Sequence, residues 1–203
     1  MCCGCSRNLR KPRATTYTSF PTPTMETSPI PSADGMHLVR LRDLRDFEVA
    51  DGSPDVRGWS VRGADGKKFG DVYELIVEPE AMKVRYLDIE LDASLKINVH
   101  ERHILLPIGA AALDDDGDNV FVPALTSESV LNYPPYQEIS ISRDYEEAML
   151  RALQLPVPTR DKASPFYDQP SYSEDYFYRQ RRPAELSSSF RRREADPGPG
   201  PIA

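Results

Sequence analysis

Cysteine is nearly absent from this chain, and its placement makes the absence complete where a fold needs it. The only cysteines are Cys2, Cys3 and Cys5. No disulfide can staple the remaining residues, so a core has to be held by packing alone, and a reducing compartment is the default. Long hydrophobic runs are missing as well. The most apolar stretch, Ile104 to Leu113, is strand-sized, well short of the roughly 20 apolar residues that span a bilayer. The opening Met1-Cys2-Cys3-Gly4-Cys5-Ser6-Arg7 is not followed by an apolar h-region, so no signal peptide is expected. A cytoplasmic protein without a membrane-spanning segment is the resulting expectation.

Hydrophobic residues make up 39% of the chain, against about 45–50% in globular domains. The deficit sits at the ends. Of 19 prolines, 5 fall in residues 1–35 and 8 in residues 156–203, leaving 6 for the 120 residues between. Proline removes a backbone donor and fixes φ, which marks the ends as poor core material. Residues 1–35 therefore read as a disordered leader and 156–203 as a disordered tail rich in Pro, Tyr and Arg. Residues 1–35 and 160–203 are expected to be dispensable for folding, with residues 36–155 as the domain.

Charge divides along the same boundaries. The centre, residues 36–155, holds 13 Lys/Arg against 23 Asp/Glu, which places the net charge of −7 almost wholly there. Such a surface repels a phosphate backbone, so nucleic acid is an unlikely partner. It favours solubility and basic partners without naming one.

Turn chemistry and period divide the centre. Leu38 to Phe47 is an amphipathic opening segment in which Leu41, Leu44 and Phe47 recur every three residues, a helical turn by period. Gly58 to Arg62 reads as a strand, and Gly63-Ala64-Asp65-Gly66 as a turn needing positive φ. Phe69 to Val77 is a second strand. Lys83 to Leu91 is a third, half-buried by its alternation of Leu87, Ile89 and Leu91 with Asp88 and Glu90. Ile104 to Leu113 is a fourth, and Val120 to Val122 a fifth. Leu87, Ile89, Leu106 and Ile108 are the expected core. Short strands without long helices between them predict an antiparallel barrel or sandwich.

Two short helices are expected next. Thr126 caps Ser127 to Leu131, and Ser142 caps Arg143 to Leu153. In the second, Tyr145, Ala148, Met149 and Ala152 fall at i, i+3, i+4 and i+7. This stripe is the candidate partner-binding surface, docking on the barrel or on another protein.

The order of these segments resembles a known family. Gly58-Trp59-Ser60-Val61-Arg62-Gly63-Ala64-Asp65-Gly66-Lys67-Lys68-Phe69-Gly70-Asp71-Val72 looks like the opening of a PRC-barrel domain. Val84 to Leu91, His103 to Gly109 and Val120 to Leu125 resemble its later strands, and Ser142 to Glu146 a helix that often follows. The resemblance covers roughly residues 38–153. It implies a mainly β fold, a small antiparallel PRC-type β-barrel with one or two short C-terminal helices. It is closest to the cytoplasmic domain of the photosynthetic reaction-centre H subunit, which implies a bacterial protein-binding or scaffolding module. That subunit has an N-terminal membrane helix, and residues 1–57 here hold no such run. The other family branch, a ribosome maturation factor, implies an RNA- or ribosome-associated role as the alternative. The resemblance carries a protein partner and a possible homo-oligomer.

No motif calls for catalysis, a metal or a cofactor. The three cysteines lack the second pair that a zinc site needs. The histidines of His100-Glu101-Arg102-His103 are three apart, where the helical zinc motif spaces them four apart. From Asp114, a calcium loop would need Gly at position six and Glu at twelve, and finds Asn119 and Leu125. Glu74, Glu78, Asp88, Glu90 and Asp92 cluster on neighbouring strands, as a proton relay or, more plainly, the polar outer face of a barrel. The aromatics and arginines from Phe166 to Arg182 suit docking or disorder, since Glu174 and Asp175 interrupt a base-stacking pattern.

Overall fold

The computed structural model describes residues 9–10, 29–32, 35, 37–114, 117–137, 140–158 and 166–179. Cys2, Cys3 and Cys5, and most of the leader and tail, lie outside the described residues.

Among the described residues, ten strands and two α-helices follow one another. The strands are β1 (Leu9–Arg10), β2 (Ile30–Pro31), β3 (His37–Arg40), β4 (Glu48–Val49), β5 (Ser60–Gly63), β6 (Lys68–Glu78), β7 (Lys83–Leu91), β8 (His103–Pro107), β9 (Ala112–Leu113) and β10 (Asn119–Val122). The helices are α1 (Arg143–Ala152) and α2 (Glu174–Arg179). β1 pairs with β4 on its own, and the other eight strands form one sheet.

The long β6–β7 hairpin is the spine of that sheet. One edge of β6 pairs with β7 from Gly70 to Glu78. Its other edge takes β5 near the start and β3 near the end. β8 adds to β7, with Leu87 opposite Leu106 and Ile89 opposite Ile104. β10 adds to β5, and β9 to β10. At the β5–β6 turn Gly66 has φ of +74°, as the turn chemistry requires. Leu87, Ile89, Leu106 and Ile108 are all fully buried.

The sheet curls but does not close into a barrel. Among the described residues the sheet has three ends, β2, β8 and β9, and no ladder joins β8 to β9. The chain itself connects them through a 3-10 turn, Ile108–Ala110. The expected single strand from Ile104 to Leu113 is broken at this point because Pro107 has no N–H to continue the ladder. The expectation of a wholly antiparallel barrel is also corrected. β10 runs parallel to β5, because the curled sheet brings it back alongside the strand that started the hairpin.

Two of the open edges, those of β8 and β2, are nonetheless sealed. On the outer edge of β8, the Leu105 carbonyl accepts from the Tyr133 hydroxyl at 2.8 Å, and the Leu105 N–H donates to the Tyr145 hydroxyl at 3.2 Å. The His103 carbonyl accepts from the Tyr136 N–H at 2.7 Å. The Pro31 carbonyl of β2 accepts from Ile141 N–H at 2.9 Å. Side chains and single backbone bonds thus do what a closing strand would do for a bare edge.

Three expectations change at the ends. Leu38 to Arg40 lie in β3 rather than a helical turn, which shrinks to Leu41–Asp43. Pairing of Val39 with Val77 overrides the three-residue period. In the leader, Leu9–Arg10 pair with β4, and Ile30 is buried in β2. In the tail, residues 166–179 fold as two 3-10 turns and α2, and bury Tyr167, Tyr172, Phe177 and Tyr178. The folding unit therefore extends past residue 155. This segment is called the strap below.

Two outcomes are expected. Leu87→Ala should cost about 2–5 kcal/mol in denaturant unfolding, as truncation of a buried leucine does; a loss under about 0.5 kcal/mol would put that face in solvent. A chain ending at Pro158 should lose about 2–5 kcal/mol, because buried polar groups are left without their strap partners. Equal stability with and without residues 159–203 would show that the strap is not part of the folding unit.

Candidate functional site

β7 is buried on both faces from Val84 to Ile89, so its polar residues within that stretch cannot face water. Arg85, Tyr86 and Asp88 are all buried. The alternation that suggested a half-buried strand marks instead which residues meet the apolar core and which meet a second, polar layer.

That layer is built by α1 and the strap. Ser142 caps α1 as expected, accepting from Tyr145 N–H. The buried residues of the helix are Glu146, Glu147, Met149 and Leu150, followed by Leu153. The inward face is thus Glu146, Met149, Leu150, Leu153, one residue on from the expected stripe of Tyr145, Ala148, Met149 and Ala152. Met149, with 0% exposure, belongs to the core and cannot touch a partner. Tyr145 and Ala152 pack against the core at its margin, and Ala148 is half-buried. The observed axis runs through a glutamate, which an apolar period leaves out. Here the Glu146 carboxylate is held by two phenols: Oε1 accepts from Tyr86 at 2.5 Å and from Tyr167 of the strap at 2.7 Å.

The strap supplies further partners. Arg85 pairs with Glu78 at 2.6 Å and donates to the Tyr167 and Tyr172 carbonyls at 3.1 and 3.3 Å. Its guanidinium lies over the Tyr167 ring. The Glu174 carboxylate accepts from Val84 N–H at 2.9 Å. Tyr86, Tyr167 and Tyr172 meet edge to face. Burial pushes the phenols of Tyr86, Tyr133, Tyr145, Tyr167 and Tyr178 above their ordinary value, and for Tyr86 and Tyr167 the Glu146 charge adds to it.

The clustered carboxylates divide by environment. Glu90 pairs with Arg102 at 3.0 Å, and Asp92 is an exposed cap for Ser94 N–H. These fit a polar outer face. Glu74 and Asp88 do not, being fully buried opposite one another on β6 and β7. The ladder shifts register between Val72 and Glu74, which leaves Tyr73 as the extra residue and turns it outward. Tyr73 then takes Arg42 over its ring and His103 at its edge. His103 Nδ1 lies 2.8 Å from the buried Asp88. Burial raises the Glu74 carboxyl, and Arg42 at 3.5 Å and Arg57 at 3.6 Å only partly offset it.

His100 sits exposed in a separate 3-10 turn, away from a pairing with His103. Asp114 N–H donates to the Asn119 carbonyl at the β9–β10 tip; Asp115 and Asp116 lie outside the described residues. Among the described residues no cluster of three or more His, Cys, Asp or Glu could hold a metal ion.

An open cleft of about 390 Å³ lies between the strap and the body of the fold. Ala110, Ala111, Pro123, Ala124, Leu153 and Leu155 form much of its wall. No charged side chain lines it. Tyr176, 48% exposed, stands at its rim.

The six strands from β5 to β10 that frame this arrangement, with the Gly63–Gly66 turn, fall within a known domain. Residues 48–128 match the PRC-barrel domain. The PRC-barrel region thus takes in the spine of the sheet, while α1 and the strap lie beyond the matched residues. A Deinococcus radiodurans protein described as uncharacterized is 29% identical over 125 residues, 58% of this chain. The chain covers 43% of that relative's length. No described helix is long and apolar enough to cross a membrane.

Two pH responses are expected. A carboxyl raised in the folded state stabilises below its unfolded pKa and loses that contribution as pH rises through the folded value. Glu74→Gln should therefore raise the melting temperature at pH 7 and make little difference near pH 4; a variant equally changed at both would contradict the burial effect. The five raised phenols work the same way near pH 10 and above. Their ionisation, followed by ultraviolet absorbance, should coincide with loss of circular dichroism rather than precede it.

Proposed function

We propose that this chain is a protein-binding or scaffolding module, akin to the cytoplasmic domain of the reaction-centre H subunit, and not an enzyme. The observation that carries the reading is the uncharged apolar cleft with Tyr176 at its rim. Its volume lies within the range of about 300–1,000 Å³ that binding sites occupy. An apolar segment of a partner protein, anchored by one or two side chains, fits its chemistry. An exposed tyrosine beside such a cleft is typical of interface anchors.

The sealed edges of β8 and β2 direct this reading away from strand addition and toward the cleft. The acidic centre supports a protein partner over nucleic acid. The reading assigns no catalytic residue, metal or cofactor, and it places the protein in the cytoplasm.

Ala124 is exposed at the cleft wall, so Ala124→Arg should fill the site without disturbing the core. In nuclease-treated pull-downs, the wild type should retain a protein that Ala124→Arg loses, with melting temperatures within about 1 °C of each other. Equal capture by both would overturn the assignment. Should the captured material be RNA, released steeply between about 50 and 200 mM salt, the ribosome-associated reading would replace this one.

A further inference from the structure

Residues 166–179 meet the rest of the chain much as a peptide meets a receptor. They lie beyond the matched residues 48–128 and join the body through residues 159–165, which are outside the described residues. One side of the strap is buried through Tyr167, Tyr172, Glu174 and Phe177, while Asp168, Pro170, Tyr176 and Arg179 face outward.

The buried side is recognised by two kinds of contact. Arg85 reads two main-chain carbonyls, those of Tyr167 and Tyr172. These bonds are indifferent to side-chain identity and fix the path of the backbone. Selectivity comes from the side chains. The Glu174 carboxylate takes the Val84 N–H, the Tyr167 hydroxyl donates to Glu146, and Tyr172 and Phe177 are fully enclosed. The receptor side is shaped for close approach. A Cβ added at Gly109 would lie 2.2 Å from the Pro170 carbonyl, so only glycine lets the strap cross there.

We infer that the surface formed by β7, α1 and the Ile108–Ala110 turn is a peptide-binding site. Its ligand pattern is tyrosine, a second tyrosine five residues on, glutamate two further and phenylalanine three further. The strap fills it in cis, and the same segment of a second copy fills it in trans. Tethering gives the strap an effective concentration on the order of millimolar, so the trans form is suppressed until the tether is cut or the chain is concentrated. The open cleft adjoins this surface and shares Gly109, Ala110, Pro170 and Tyr176 with it; the peptide site is the buried side beneath the strap.

The test keeps every residue of the strap. Residues 159–165 are replaced by a protease recognition sequence in the full chain, and a fluorescent peptide of residues 166–179 is added before and after cleavage. The cut chain should take up the peptide saturably and keep its circular dichroism, and the uncut chain should take up little on the same timescale. Peptides carrying Glu174→Gln or Tyr172→Ala should bind at least about tenfold more weakly. A folded cut chain that takes up no peptide would overturn the inference, since the strap would then be a fixed part of the core. Unfolding of the cut chain once its strap is diluted away would do the same. So would equal uptake of a scrambled peptide.

Discussion

The rest of the structure depends on one constraint: β7 is covered on both faces, yet it carries an arginine, a tyrosine and an aspartate. Buried polar groups cost free energy unless they are paired. Each therefore recruits a partner from a distant part of the chain. Arg85 draws Glu78 and the strap carbonyls, Tyr86 draws Glu146 and Tyr167, and Asp88 draws His103. The position of α1, the docking of residues 166–179 and the orientation of β8 follow from satisfying these three side chains. Apolar packing holds the sheet together, but it does not by itself explain why a glutamate faces inward on the helix.

Where information was local, it was legible in the sequence. The alternation from Lys83 to Leu91 delimits β7 at its observed ends, Ser142 caps α1, and Gly66 supplies a positive-φ turn. The order of motifs is enough to mark the matched domain. What escaped notice is non-local. The parallel pairing of β10 with β5 leaves no periodic trace. Glu146 and Asp88 carry charge, and only neighbours far along the chain make their burial tolerable. The strap mixes proline, serine and aromatics without a helical period, so its composition resembles an unfolded tail. Its buried tyrosines could have been suspected from the density of aromatics between Tyr167 and Tyr178, since a solvated tail has little use for them.

These features shape how the molecule can bind. An incompletely closed sheet would ordinarily offer its edges for strand addition. Here Tyr133, Tyr136, Tyr145 and Ile141 occupy those of β8 and β2, and in the proposed reading recognition falls to the surfaces around the strap. The cleft beside Tyr176 and the surface beneath residues 166–179 are both made partly by sequence outside the matched residues 48–128. The matched domain supplies the sheet, and in the proposed reading the additional segments set what it recognises.

The contact between Glu146 and Tyr167 is where helix, strap and β7 converge, so it tests the account most directly. A double-mutant cycle combining Glu146→Gln with Tyr167→Phe, read by denaturant unfolding, measures their coupling free of the effects each change has alone. The account predicts a coupling of about 0.5–3 kcal/mol, as for residues sharing one hydrogen-bond network. Additive effects, with coupling indistinguishable from zero, would mean that the strap lies against the sheet without completing it.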